Sequence, residues 1–255
     1  IEKMNTKIIA VANHKGGVGK TTTVASLGSI LSKKGYRVLL VDLDAQANLT
    51  TSLTNFSEGE TIYEVMTGKT AQLPVLEVNE KLHLVPASLT LAMVDVELST
   101  AMARESILKD VLERANVSGN YDFVLLDCPP SLGLMTLNAF TASTDIIIPL
   151  VSEVLPFKGL TMINDFINMV HNKLNPNAHI SGVLITRWEG SKLSKGIELK
   201  LREALGDTVF KVKIRKNIRL AEAPLENKNI VDYDKSSNGA HDYQAFTDEF
   251  LVRFQ

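Results

Sequence analysis

Cysteine is nearly missing from this chain: Cys128 is the one residue of its kind in 255. No intrachain disulfide can form, and a cysteine-rich zinc or iron–sulfur site held by one chain is excluded. So low a thiol count fits a reducing cytosol. A charge excess of one sign is missing too. Twenty-seven Lys and Arg stand against 29 Asp and Glu, for a net charge of −2. The molecule as a whole is not a polycation, so nucleic-acid binding needs a local patch. No apolar run approaches the roughly 20 residues of a membrane span. No signal-peptide pattern opens the chain, and a cytoplasmic location without membrane contact is the expectation. Linkers, repeats and low-complexity tracts are absent as well, so residues 1–255 read as one domain. Ile1–Lys3, ahead of Met4, read as a cloning remnant or an upstream start. Apolar residues make up 45% of the chain, enough for a sizeable core.

The chain is organised around His14-Lys15-Gly16-Gly17-Val18-Gly19-Lys20-Thr21-Thr22. The apolar run Ile8–Ala12 before it reads as a buried parallel strand. Val24, Leu27, Ile30 and Leu31 after it have the spacing of one helix face. The glycines therefore lie on a strand-to-helix turn. Gly16, Gly17 and Gly19 let the backbone curl so that several N–H groups point inward. Those donors and the positive end of the helix suit phosphate oxygens. Lys20 would reach the terminal phosphates, and the Thr21 hydroxyl would bind Mg²⁺. A glycine-rich turn that serves packing alone is the plain alternative.

Strand and helix signals alternate from end to end, which predicts an α/β fold with a mostly parallel sheet and helices on both faces. Arg37–Asp42 reads as the second strand and Leu43–Thr51 as a polar loop. Asn55–Glu80 reads as a surface excursion with short apolar groups, and Leu82–Pro86 as a short strand. Val94–Asn116 reads as a long helical stretch. Strands are expected at Phe123–Asp127, Ile146–Leu150, Ile180–Thr186 and Val209–Ile214. Helices are expected at Phe157–Leu174, Ser194–Leu205 and Ala240–Phe254. Asp127 ends a strand after four apolar residues, where a carboxylate can hold Mg²⁺ through its water. A strand-end Asp capping a turn is the alternative. Asp42 and Asp44 follow the second strand at the same sheet edge.

The loop K-G-G-V-G-K-T (Lys15–Thr21) lacks the usual first glycine and resembles the deviant Walker A loop of the ParA/MinD ATPases. Tyr121–Gly133 is close to that family's Walker B and switch II text, Val41–Thr50 to its switch I motif and Asn217–Pro224 to its late motif. Together these resemble the ParA/Soj branch over nearly the whole chain. The resemblance implies a P-loop NTPase that binds ATP and Mg²⁺ and hydrolyses ATP weakly on its own. It makes Lys15, Lys20 and Asp44 the catalytic group, with Asp44 positioning the attacking water and Lys15 crossing to the partner's ATP. A plain loop lysine is the other reading of Lys15. Lys15 through Thr22 and Asn217 become the nucleotide contacts, Val18 among them. Thr21, Asp44 and Asp127 become the Mg²⁺ surroundings, with Asp42 near that shell. The chain departs from the pattern at Lys213–Asn217, where the family's proline is replaced. Lys192 stands in for the arginine of the family's D-x-R, and Lys158 for its glutamate; nothing in the sequence explains Lys158.

From Arg187 to Arg219 ten basic residues stand against four acidic ones, which suggests an anionic partner. A solvated face is the bland reading. The resemblance turns this toward nonspecific DNA binding, with Lys192, Lys195, Lys216 and Arg219 as the contacts. It implies an ATP-dependent homodimer on the nucleoid, a ParB-type centromere-binding partner that stimulates hydrolysis, and chromosome or plasmid partition as the process. The competing class is a MinD-like membrane-surface regulator, which needs a basic amphipathic C-terminal helix. Ala240–Gln255 carries Asp242, Asp248 and Glu249 against Arg253 alone. A nitrogenase-iron-protein-like redox ATPase needs two cysteines per subunit and is excluded. A metabolic ligase of the same fold is a residual option.

Overall fold

The computed structural model describes residues 5–152 and 156–255, so Ile1–Lys3 lie outside the described residues. Seven strands form one sheet: β1 (Lys7–Val11), β2 (Val38–Asp42), β3 (Leu76–Asn79), β4 (Leu82–Val85), β5 (Phe123–Asp127), β6 (Asp145–Val151) and β7 (Ile180–Thr186). Their order is β3-β4-β2-β5-β1-β6-β7. All neighbours pair in parallel except β3, which runs antiparallel to β4 at one edge. The predicted fold class stands.

Among the described residues eight α-helices have five residues or more: α1 (Lys20–Lys33), α2 (Asn48–Leu53), α3 (Ile62–Met66), α4 (Ile107–Arg114), α5 (Leu134–Ala142), α6 (Pro156–Lys173), α7 (Lys192–Leu205) and α8 (Asn238–Phe254). Side chains alternate across a strand, so the central strands feed two cores. Ile9 and Val11 of β1 and Leu40 of β2 meet Val24, Leu27 and Leu31 of α1 and Tyr243, Phe246 and Phe250 of α8. Ala10 of β1 and Leu39 and Val41 of β2 meet the other layer, including Leu108, Phe140, Ile163 and Leu201. β2 and β5 are buried along their whole length. Each fully buried Leu or Ile contributes roughly 1.5–3 kcal/mol, so these layers fix where the strand ends lie.

Four expectations change. Val94–Asn116 is not one helix. It breaks into a turn at Val94–Glu97, a 3-10 turn at Arg104–Ser106 and α4, with Ala103 (φ 51°) and Asn116 (φ 51°) left-handed at the breaks. Val209–Ile214 forms no ladder; parallel bridges reach β7's side only at Val209 and Arg215. The polar stretch Leu43–Thr51 already holds the first turn of α2. The excursion Asn55–Glu80 contains α3, whose Ile62 and Val65 are buried, and the edge strand β3. Thr61 caps α3 in a capping box with Glu64.

Candidate active site

Parallel register lines up three strand ends. Val11 pairs with Asp127, and Asp42 pairs with Asp127 from the other side. The loop that leaves β1 therefore opens directly above two carboxylates. Asn13, buried at the strand exit, donates from Nδ2 to the Pro149 carbonyl (2.8 Å) and accepts the Lys15 N–H on Oδ1 (3.0 Å). Gly17 (φ 71°) and Gly19 (φ 89°) take left-handed backbone, which any other residue would adopt only with strain. A Cβ on Gly16 or Gly17 would meet nothing within 4 Å, so their backbone faces open space. Gly19 caps the start of α1.

Lys20 is buried, and its Nζ donates to the Lys15 carbonyl at 3.1 Å. Burial pushes its ammonium below the ordinary lysine range, an effect partly offset by Asp127. The Thr21 hydroxyl donates to Asp127 Oδ2 at 2.7 Å. Asp127 Oδ1 is buried and has no hydrogen-bond partner among the described residues. Burial first, then the Asp42 charge, raises the Asp127 carboxyl well above the carboxylate range. A carboxyl oxygen left orphaned beside a threonine hydroxyl, its charge disfavoured until a cation arrives, is the donor chemistry of a hard cation. No group of three or more His, Cys, Asp and Glu among the described residues could hold a metal by itself. That suits Mg²⁺, which takes one or two protein ligands and completes its shell with water and phosphate.

A cavity of about 1040 Å³ opens over this loop, lined by Gly16, Gly17, Gly19, Lys20, Thr21, Thr22 and Asp44 together with Lys216, Asn217, Ile218 and Pro224. It is roughly the upper size of a small-molecule site. Asp44 is half-buried, and its Oδ1 accepts the Gln46 N–H at 3.0 Å. Val18 is buried and offers only backbone, its carbonyl accepting the Thr186 hydroxyl at 2.7 Å. Lys15 is exposed beside the loop. The Asp42 carboxylate, in register beside Asp127, is held by the chain: it accepts the Asp44 N–H (3.2 Å) and the Thr50 N–H (2.9 Å) and hydroxyl (2.7 Å). Burial pushes its carboxyl up to about 6.

A family model described as an AAA domain matches residues 6–180. The sporulation initiation inhibitor protein Soj of Bacillus subtilis is 39% identical over 243 residues, covering 93% of this chain and 95% of that protein. The chromosome partitioning protein ParA of Caulobacter vibrioides is 37% identical over 255 residues, covering 97% and 94%. The chain belongs to the ParA/Soj family of ATPases. Among solved structures, cobyrinic acid a,c-diamide synthase from Mycobacterium smegmatis with bound ADP and magnesium superimposes with a TM-score of 0.84 at 35% identity, covering 96% of this chain and 94% of that one.

The four cations expected to face DNA in this ParA/Soj chain fall into two settings. Lys192 and Lys195 are exposed in the first turn of α7, and no ion pair reaches either among the described residues. Lys216 pairs with Glu189 at 2.5 Å, and Arg219 with Glu222 (2.8 Å) and Asp234 (3.6 Å). Glu198 takes both Arg202 and Lys213. Arg215, at the replaced proline, makes a two-pronged pair with Asp242 of α8. Lys158 is exposed on α6 and its substitution remains unexplained by any contact. Sequence reasoning missed Asn13, Thr50 and Trp188. Trp188 exchanges backbone hydrogen bonds with Ile214 and Lys216, and Lys213 Nζ lies 4.1 Å from its ring centre. Asn13 had a readable signal, an Asx side chain two residues before Lys15.

Proposed function

We propose that residues 1–255 act as one ATPase domain of a DNA-partitioning system, in which ATP joins two copies and the pair binds DNA without sequence preference. The observation that carries the nucleotide part is the orphaned Asp127 oxygen beside the Thr21 hydroxyl, under an open glycine loop that a buried lysine closes. Backbone N–H groups of Gly16–Thr22 would cradle the phosphates, and Lys20 would neutralise them. Thr21 and Asp127 would hold Mg²⁺, which supplies charge neutralisation of the phosphate oxygens when bound. Asp44 would orient a water and accept its proton, and Lys15 would reach the nucleotide of the second copy. Asn217 lines the same cavity, which supports it as a contact to the base or ribose. Catalysis of this kind rests on positioning and charge, so no histidine is called for.

The surplus of cations between Arg187 and Arg219 supports DNA as the anionic partner, with Lys192, Lys195, Lys216 and Arg219 as phosphate contacts. Such contacts position without reading sequence. A ParB-type protein would stimulate hydrolysis and release the pair, and the site of action would be the nucleoid in the cytoplasm. The names of the Soj and ParA relatives support partition as the process. Against a membrane-surface regulator, α8 uses its apolar face, Tyr243, Phe246, Phe250 and Phe254, in the core. No helix among the described residues is long and apolar enough to cross a membrane. The neighbour described as a cobyrinic acid a,c-diamide synthase supplies the second reading, a ligase that uses ATP to convert carboxylic acids to amides.

The test is a gel shift of the purified protein on bulk DNA with ATP, with ADP and without nucleotide. Binding with ATP alone is expected. Equal binding in all three states refutes the nucleotide switch, and ATP turnover that depends on cobyrinic acid favours the ligase.

A further inference from the structure

We infer that Thr50 is a positioning residue for Asp44, acting through the buried carboxylate of Asp42. The inference rests on the reading of Asp44 as the water-orienting group. Asp42 is fully buried at the end of β2 and Thr50 is buried in α2. One oxygen of Asp42 accepts the Asp44 N–H at 3.2 Å. The other accepts both the Thr50 N–H at 2.9 Å and the Thr50 hydroxyl at 2.7 Å. One carboxylate thus clips both ends of the loop that carries Asp44.

The clip has a second anchor. A hydroxyl has one proton to donate and lone pairs with which to accept. Thr50 donates its proton to Asp42 and accepts the Ala87 N–H at 3.0 Å, just beyond β4. The hydroxyl therefore ties the end of β2 to the end of β4, and the Leu43 N–H ties the start of the loop to the Asp127 carbonyl at 3.0 Å. Between the anchors little freedom remains. The Ala47 N–H donates to the Asp44 carbonyl at 2.9 Å, and Ala47 is left-handed (φ 53°). Asp44 Oδ1 holds the Gln46 N–H. Asn48, Thr51 and Ser52 of the same short helix line the cavity, so slack at Thr50 moves a wall of the site as well as its carboxylate.

The geometry also explains why a negative group is kept where no water reaches it. Three donors from the chain converge on Asp42, which favours its charged form against burial. Replacing the threonine by an apolar residue of the same shape removes one of those donors and leaves the buried Ala87 N–H without its acceptor. A threonine kept for packing alone would tolerate that change in rate.

The experiment compares Thr50→Val, Thr50→Ser and Asp44→Ala singly, and Thr50→Val in the Asp44→Ala background. Thr50→Val is expected to lower kcat about tenfold to a hundredfold, the size of a misplaced catalytic group. Its Kd for a slowly hydrolysed ATP analogue should stay within about threefold of wild type, because the glycine loop, Lys20 and Thr21 are untouched. Thr50→Ser, which keeps the hydroxyl, should recover most of the rate. In the Asp44→Ala background Thr50→Val should cost nothing further, since no carboxylate is left to misplace. If Asp44→Ala hydrolyses ATP at the wild-type rate, the reading of Asp44 is wrong and the clip has no catalytic purpose. If Asp44→Ala loses the rate while Thr50→Val keeps it, Asp44 stands and the clip is refuted. The clip is refuted as well if Thr50→Val costs an equal factor with and without Asp44. Should Thr50→Val not fold, Asp42→Asn replaces it: its amide cannot accept on both sides, so the same drop in kcat with preserved analogue binding is expected, and an unchanged kcat overturns the proposal.

Discussion

The glycine loop and the basic stretch after β7 are both rich in function-bearing groups, yet they are held in opposite ways. Around the loop most anchors run to backbone: register aligns Val11, Asp42 and Asp127, and Asn13, Thr50 and Thr186 each bond a carbonyl or an N–H. In the basic stretch the cations that are held, Arg202, Lys213, Arg215, Lys216 and Arg219, pair with acidic side chains. Glu222, Asp234 and Asp242 lie outside the stretch and pair with Arg219 and Arg215 inside it. Backbone placement survives a change of salt, whereas exposed ion pairs are each worth about 0–1 kcal/mol and open readily. A rigid chemical site beside an adaptable charged face is what a nucleotide-controlled grip on a polyanion needs.

The sharpest way to break the comparison is at the loop. Lys20→Ala should abolish measurable ATP binding in calorimetry, because a buried cation that closes the cradle is removed. Lys15→Ala should keep binding in the monomer and fail to form the ATP-bound pair in size-exclusion chromatography. Equal ATP affinity for Lys20→Ala and wild type would remove the basis for the site.

At the charged face the expected effects are smaller and graded. Lys192→Glu with Lys195→Glu should weaken ATP-dependent DNA binding more than Lys216→Glu with Arg219→Glu, since the second pair already has acidic neighbours. Each neutral substitution at a true phosphate contact should flatten the slope of log K against log salt by roughly one. Equal losses from both pairs would mean that the ion pairs open without cost when DNA arrives.

The smallest effect is a stability change with pH. Asp42, pushed up to about 6, and Asp127, raised well above the carboxylate range, bind protons in the folded chain at a pH where the unfolded chain has lost them. Their contribution is present below the ordinary carboxylate range near 4 and is lost as pH rises through the folded values. Asp127→Asn, which still accepts from Thr21, should therefore raise Tm of the nucleotide-free protein at pH 8 by a few degrees, at about 2–4 °C for each kcal/mol. The gain should fade toward pH 4. A gain that is the same at both pH values would show that charge burial is not its cause.

The loop was readable in the sequence because its parts are local: an apolar strand, glycines at the turn, and one helix face. Asp127 was readable because a strand-end carboxylate follows four apolar residues. The break in Val94–Asn116 was not, since Ala103 is left-handed without being glycine or asparagine. Val209–Ile214 has strand composition but lies beside β7 with a single bridge, Val209 to Val183, a matter of tertiary placement. The T-x-x-E box at Thr61–Glu64 is a readable helix start, set in a stretch whose apolar pattern is otherwise weak. The pairings of Arg215 and Arg219 could not be read, because their partners lie elsewhere in the fold and a charge count along the chain ignores them.

Trp188 has a consequence that is optical. It is the chain's sole tryptophan, so excitation at the red edge of protein absorption selects one indole. Its Nε1 is buried without a hydrogen-bond partner among the described residues, and the Lys213 ammonium sits 4.1 Å from the ring centre. Its backbone is bonded to Ile214 and Lys216, which form part of the cavity wall. A cation over an indole alters both its emission wavelength and its lifetime. Any shift of that wall when a ligand enters therefore changes the light the protein gives off, and the unlabelled molecule can report in real time on the filling of its own cavity.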